Sequence, residues 1–283
     1  MDANPRTAAV TTAHVERDPD LARRGPEAYV GELVGTFLLV FFICAVFTVN
    51  SAGVLGVTDW AVIGLVQFLA LTVLVHTLGG VSGGHFNPAV TATLAALRKI
   101  GGLDAAIYVG MQVVGALLAA LLLKFLLDDA GDAASYGAPE LADALDGEPL
   151  RGFAIEAIGA FALMWAVMGV AVNPRGARDW AGLTIGGAYG LVVLALGPLT
   201  GGAANPARAL GPSLVGGGEP VADFIVAYVL GPLVGALLAG MLYTAAVLGP
   251  QVRSTGRRPV ATLSGTRESV RDEGAPPPDV VGD

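Results

Sequence analysis

The sequence predicts an all-α membrane protein with six membrane-spanning helices, two half-length helices and an inverted internal repeat. Three observations predict it. Six apolar runs each approach the ~20 residues of helix that a hydrocarbon core of ~30 Å requires. An Asn-Pro-Ala triplet occurs twice, at Asn87-Pro88-Ala89 and at Asn205-Pro206-Ala207, each shortly after a run. Residue patterns of the first half also return in the second.

Composition sets the class. Of 283 residues, 54% are hydrophobic and 14% charged, and the apolar ones cluster in long runs, as in a polytopic membrane protein rather than a soluble core. The single Cys44 rules out a disulfide framework or a cysteine metal site. Basic residues are scattered through loops and tails, so a net charge of −8 points to no nucleic-acid partner. There is no phosphate loop, triad spacing or metal cluster, so neither an enzyme nor a cofactor is expected.

Taken in order, residues 1–28 carry Arg6, Arg17, Arg23 and Arg24 among acids. With no apolar core they read as a cytoplasmic tail and not a signal peptide. The membrane domain spans 29–248. Its runs are Tyr29–Val49, Trp60–Leu78, Ala105–Leu127, Gly152–Val172, Trp180–Leu199 and Phe224–Leu248. Val90 to Leu97 and Ala209 to Val215, after runs two and five, are too short to cross. Residues 249–283, rich in Pro, Gly, Arg and acids, read as a disordered cytoplasmic tail.

The repeat covers about 29–127 and 152–248. Glu32, Gly35 and Phe37 return as Glu156, Gly159 and Phe161. Asp59-Trp60-Ala61 returns as Asp179-Trp180-Ala181, and Val114-Gly115-Ala116-Leu117-Leu118-Ala119 as Val234-Gly235-Ala236-Leu237-Leu238-Ala239. Three spans per repeat give the halves opposite topology, an arrangement that places a transport pathway between them. Charge sets the orientation. The two tails, Arg98 and Lys99, and Arg175 and Arg178 fall on one side, leaving Lys124, Arg151 and Arg208 for the other. By the positive-inside rule both termini are cytoplasmic.

Each Asn-Pro-Ala reads as a helix start. Asn caps the backbone N–H groups two and three residues on, and Pro suits the first helical position. The cap uses the Asn carbonyl and leaves its NH2 group free. A symmetric pair of such groups in hydrocarbon would be costly, so Asn87 and Asn205 are expected to face a polar lumen. Gly83 to Phe86 and Gly201 to Ala204 are expected to be extended. Glu32 and Glu156 lie inside spans one and four, with no basic residue placed to pair with them. They are read as acceptors for the N–H groups of the re-entrant loops, with a proton relay as the minority alternative. Gln112 is read as interhelical packing and His85 as a satisfied loop histidine.

These residues carry a resemblance to the aquaporin, or major intrinsic protein, family from about Tyr29 to Val247. The resemblance implies a bundle whose half-helices meet at mid-membrane, with Asn87, Pro88, Ala89, Asn205, Pro206 and Ala207 as pore motifs. It implies a ladder of carbonyl acceptors from Gly83, Gly84, His85, Phe86, Gly201, Ala203 and Ala204. Family spacing puts the selectivity filter at Gln67, Val193, Gly202 and Arg208, with Phe68 in place of Gln67 if the register slips by one. Arg208 would form the outer constriction. Water-selective members usually carry an aromatic and a His where this chain has Gln67 and Val193, so a wider constriction is expected. Glycerol facilitators commonly carry Asp where this chain has Ala209.

The expected function is passive passage of water and other small neutral solutes, with glycerol, urea, ammonia and hydrogen peroxide in range and protons and ions excluded. A homotetramer in the plasma membrane is implied, its partners the lipid bilayer and its solutes. The main rival is an ion-coupled secondary transporter. It would need a coupling-ion site, and no Asp or Lys sits at the midplane of the spans.

Overall fold

The computed structural model describes residues 24–50 and 59–249. Most of the expected tails, 1–28 and 249–283, lies outside the described residues. The helices are α1 (Pro26–Asn50), α2 (Trp60–Ser82), α3 (Pro88–Ala96), α4 (Gly102–Leu126), α5 (Asp128–Ala133), α6 (Pro149–Val167), α7 (Ala181–Thr200), α8 (Pro206–Gly216), α9 (Val221–Phe224) and α10 (Gly231–Tyr243). No strand occurs among the described residues. Among the described residues six helical stretches are long and apolar enough to cross a membrane, the last of them Val221–Leu248.

Local chemistry sets the ends. Asp59 caps α2 by accepting from the N–H groups of Ala61 and Val62 at 2.9 and 3.3 Å. α2 and α7 both stop at a left-handed glycine, Gly83 and Gly201, the conformation that ends a helix at least cost. α1 and α6 begin three residues before the apolar runs do, each with a Pro in its first turn. Hydropathy alone does not see such starts. The sixth span is not uniform: Ile225–Leu230 is a π turn just before Gly231-Pro232. Pro232 lacks an N–H and its ring would strike the carbonyl four residues back, so the helix widens there.

Packing follows the repeat. α1 packs on α4 as α6 packs on α10, and α2 on α7 joins the halves. Each half-helix crosses over, α3 lying on α10 and α8 on α4. Gly115 and Gly235 let the first two pairs close. A Cβ on Gly115 would fall 2.5 Å from the carbonyl oxygen of Leu33, and one on Gly235 would collide with that of Ala157. Outward-facing side chains such as Leu65, Leu69 and Val73 on α2 are exposed. That apolar stripe suits lipid or another subunit rather than water.

Candidate functional site

The two Asn-Pro-Ala starts meet. Asn87 caps α3 through the Ala89 N–H at 2.9 Å. Asn205 caps α8 through Ala207 and Arg208 at 3.0 and 3.3 Å. The sequence reading leaves their NH2 groups free, and the structure differs. Asn87 Nδ2 donates to the carbonyl of Ala204, and Asn205 Nδ2 to that of Phe86, each at 2.9 Å. Each amide therefore spends one N–H across the interface between the halves and keeps one.

The carbonyls that accept these bonds are aimed by backbone strain. Phe86 and Ala204 hold φ of 47° and 46°, a region that costs a non-glycine residue of order 1 kcal/mol or more. Gly83, Gly84, Gly201 and Gly202 also have positive φ, so the loops are coiled and not extended. The physical reason is the reversal from a long helix into a half-helix within four residues. Of the seven expected ladder carbonyls, Phe86 and Ala204 serve the Asn amides and Ala203 accepts from the Tyr189 hydroxyl at 2.9 Å.

Two buried glutamates hold these loops. Glu32 accepts from Ser82 Oγ at 2.7 Å, from the N–H groups of His85 and Phe86 at 3.0 and 2.7 Å, and from Gln112 Nε2 at 2.7 Å. Glu156 accepts from Thr200 Oγ1 at 2.6 Å and from the N–H groups of Ala203 and Ala204. Charge-assisted bonds of this kind are roughly twice as strong as neutral ones. Gln112 is thus more than packing: it also donates to Thr91 Oγ1 at 2.9 Å, tying Glu32 to α3. A lone amide in an apolar span was the available signal. Its repeat partner, Pro232, cannot donate, so Glu156 has no such tie. His85 Nδ1 lies 3.1 Å from Thr91 Oγ1.

A cavity of about 340 Å³ runs to this meeting point, lined by Gly83, Gly84, His85, Asn87 and Asn205. Arg24, Lys99 and Arg178 also line it. Gln67, Val193, Gly202 and Arg208 do not line it, and each is fully buried or nearly so. Gly202 sits against Val193, where an added Cβ would fall 3.1 Å from the Val193 Cα. Gln67 is wholly buried, and its amide O and N have no hydrogen-bond partner among the described residues. Phe68 lies at the α2–α7 crossing, against Gly186 and Gly190.

The Arg208 side chain is closely surrounded. Arg208 is 0% exposed. Its Nη1 donates to the carbonyl of Gly137 at 3.0 Å, and the guanidinium lies 5.1 Å from the centre of the Phe47 ring. Among the described residues its Nε and Nη2 make no close hydrogen bond, and the Tyr189 hydroxyl is a further polar neighbour. Phe47 of α1 and Gly137 of the outer loop thus flank the guanidinium. Neither contact could be read from sequence, because neither follows from spacing.

Asn205→Asp keeps the cap but removes the donor to Phe86 and sets a carboxylate beside that carbonyl. Neutral-solute flux is expected to fall or proton exclusion to weaken. Liposome assays showing wild-type values of both would place Asn205 off the pathway.

Six spans, crossed half-helices and a cavity ending between two capped helix starts define a polytopic membrane protein of the channel class. The major intrinsic protein pattern matches residues 24–243, and the chain belongs to that family. It is 37% identical over 224 residues to glycerol uptake facilitator protein-like 6 of Lactiplantibacillus plantarum, covering 79% of this chain and 98% of that one. It is 42% identical to aquaporin TIP4-4 of Zea mays, over 76% and 84% of the two chains. Its fold matches the aquaglyceroporin of Plasmodium falciparum with a TM-score of 0.64, at 23% identity and over 81% and 98% of the chains.

Proposed function

We propose that this protein is a passive channel for water and small neutral solutes that excludes ions and protons. The observation that carries this is the meeting of two capped half-helix N-termini, cross-tied through Asn87 and Asn205, at the end of a cavity of mixed polar and apolar lining. Both N-termini present positive partial charge, which repels cations and orients a water as an acceptor. Each Asn keeps one N–H to donate. A water held this way cannot pass a proton onward along its file. Arg208 adds a full positive charge at the outer level. With the Arg24, Lys99 and Arg178 end of the cavity in the cytoplasm, the positive-inside rule puts both termini there. A plasma-membrane homotetramer with one pore per subunit, its apolar outer faces meeting, completes the proposal.

Gln67, Val193, Gly202 and Arg208 bound the filter in this proposal. Val193 offers no donor and Gly202 no side chain, so only Gln67 and Arg208 present polar side chains there. Relatives named for glycerol uptake and as an aquaporin agree with passage of both water and a larger polyol. Val193→His is expected to cut glycerol or urea flux much more than water flux, because a steric filter rejects by size first. Stopped-flow light scattering on proteoliposomes measures both. Equal reduction of the two fluxes, or a wild type that rejects every solute larger than water, would overturn this assignment.

A further inference from the structure

The outer loop between α4 and α6 is built with more strain and more ties than a connection needs. Ser135, Tyr136 and Gly137 are consecutive and all left-handed, at φ 48°, 49° and 75°. Two of the three are not glycine, so something must hold them there. Tyr136 is 0% exposed. Its ring fills the space beside Gly131, where an added Cβ would collide with it, and it also lies against Gly216. Its hydroxyl is within reach of the Asp128 carbonyl at 3.0 Å and of Asp128 Oδ1 at 3.1 Å. The Lys124 ammonium lies 5.4 Å from the ring centre. Burial and the Asp128 bond push the hydroxyl's pKa up to about 12. The next residue is Gly137, whose carbonyl accepts from Arg208 Nη1. A Cβ on Gly137 would fall 3.0 Å from the Phe47 Cβ, so this carbonyl and the Phe47 ring approach the guanidinium together.

We propose that Tyr136 is a positioning residue for Arg208: anchored to Asp128, it locks the left-handed turn that holds the Gly137 carbonyl on the guanidinium. An Arg side chain loses up to ~2 kcal/mol of rotamer entropy when fixed, and among the described residues the bond from Nη1 to the Gly137 carbonyl is the close hydrogen bond of Arg208, with the Tyr189 hydroxyl a second polar neighbour. With Tyr136 anchored, the guanidinium holds one place at the outer level. With Tyr136 loosened, it samples several and obstructs larger solutes less.

The inference rests on the proposal that Arg208 bounds the pore, and the test separates the two. Tyr136→Phe keeps the ring and removes the hydroxyl. Asp128→Ala, at an exposed position, removes one of its two acceptors without touching the core. The readout is the ratio of glycerol to water permeability in proteoliposomes, which a loop of purely structural role would not move. Tyr136→Phe is expected to raise the ratio about 2–10-fold, the range of one lost hydrogen bond, and Asp128→Ala to raise it less. In an Arg208→Val background neither change should alter the ratio further. An unchanged ratio in assembled Tyr136→Phe overturns the inference. So does the same shift with Arg208 absent. Should Tyr136→Phe not assemble, Asp128→Ala decides alone, and an unchanged ratio there overturns it. If Arg208→Val itself leaves the ratio unchanged, the filter assignment fails first.

Discussion

Glu156→Leu is expected to remove most of the assembled protein. Glu156 is 1% exposed and takes the backbone N–H groups of Ala203 and Ala204 together with the Thr200 hydroxyl. Leu leaves two N–H groups without an acceptor at a depth where water cannot replace it. Each costs about 1–3 kcal/mol, and the sum is a large part of the 5–15 kcal/mol that typically holds a whole domain. The loss falls where the chain is already strained, since Ala204 sits at φ 46° with its carbonyl on Asn87. Glu156→Gln keeps shape and one acceptor oxygen, and should lose less. Size-exclusion profiles and thermal midpoints in detergent measure both variants. Wild-type midpoints for Glu156→Leu would contradict the scaffold role. A stable Glu156→Gln protein with altered pH dependence of transport would favour a proton relay.

Arg208→Val is expected to have the largest effect on selectivity. Val90 already occupies the equivalent position of the first repeat, so valine suits the first turn of a half-helix. Two unit charges ~4.5 Å apart at an effective dielectric of ~20 repel by about 3–4 kcal/mol. Losing that barrier would raise cation and proton leak by up to about 10²–10³-fold. The half-helix N-termini still repel cations, so this is an upper bound. Glycerol flux should rise as well, since a long side chain leaves the outer level. Liposomes loaded with a pH-sensitive dye report the leak, and swelling reports glycerol. Unchanged values of both would place Arg208 away from the solute path.

Much of this architecture is legible in the sequence because lipid restricts the options. Backbone groups must be satisfied within each span, so apolar runs mark the helices α1, α2, α4, α6 and α7 to within a few residues. Asn-Pro-Ala marks the starts of α3 and α8 because capping is local chemistry. Glu32 and Glu156 stand out because an acid in a span needs a reason. What the sequence does not carry is how the two halves meet. The left-handed Phe86 and Ala204, and the crossed bonds from Asn205 and Asn87, depend on each loop finding the other. Gln112 is visible as a polar residue, yet its service to Glu32 depends on how α1 packs on α4. The partners of Arg208 come from the end of α1 and from an acidic loop. Composition identifies that loop only as polar, so neither Phe47 nor the Tyr136–Gly137 turn was expected.

The central claim is that solute moves passively through a pore between the halves. Its most direct measurement is stopped-flow light scattering on proteoliposomes under an imposed gradient of a neutral osmolyte, with all ion gradients collapsed by ionophores. Volume changes are expected to be much faster than in protein-free liposomes, with a rate proportional to the osmotic gradient without saturation and unchanged on adding or removing Na⁺ or a pH gradient. A flux that saturates and appears only when an ion gradient is imposed would contradict it, and would assign the protein to coupled transport.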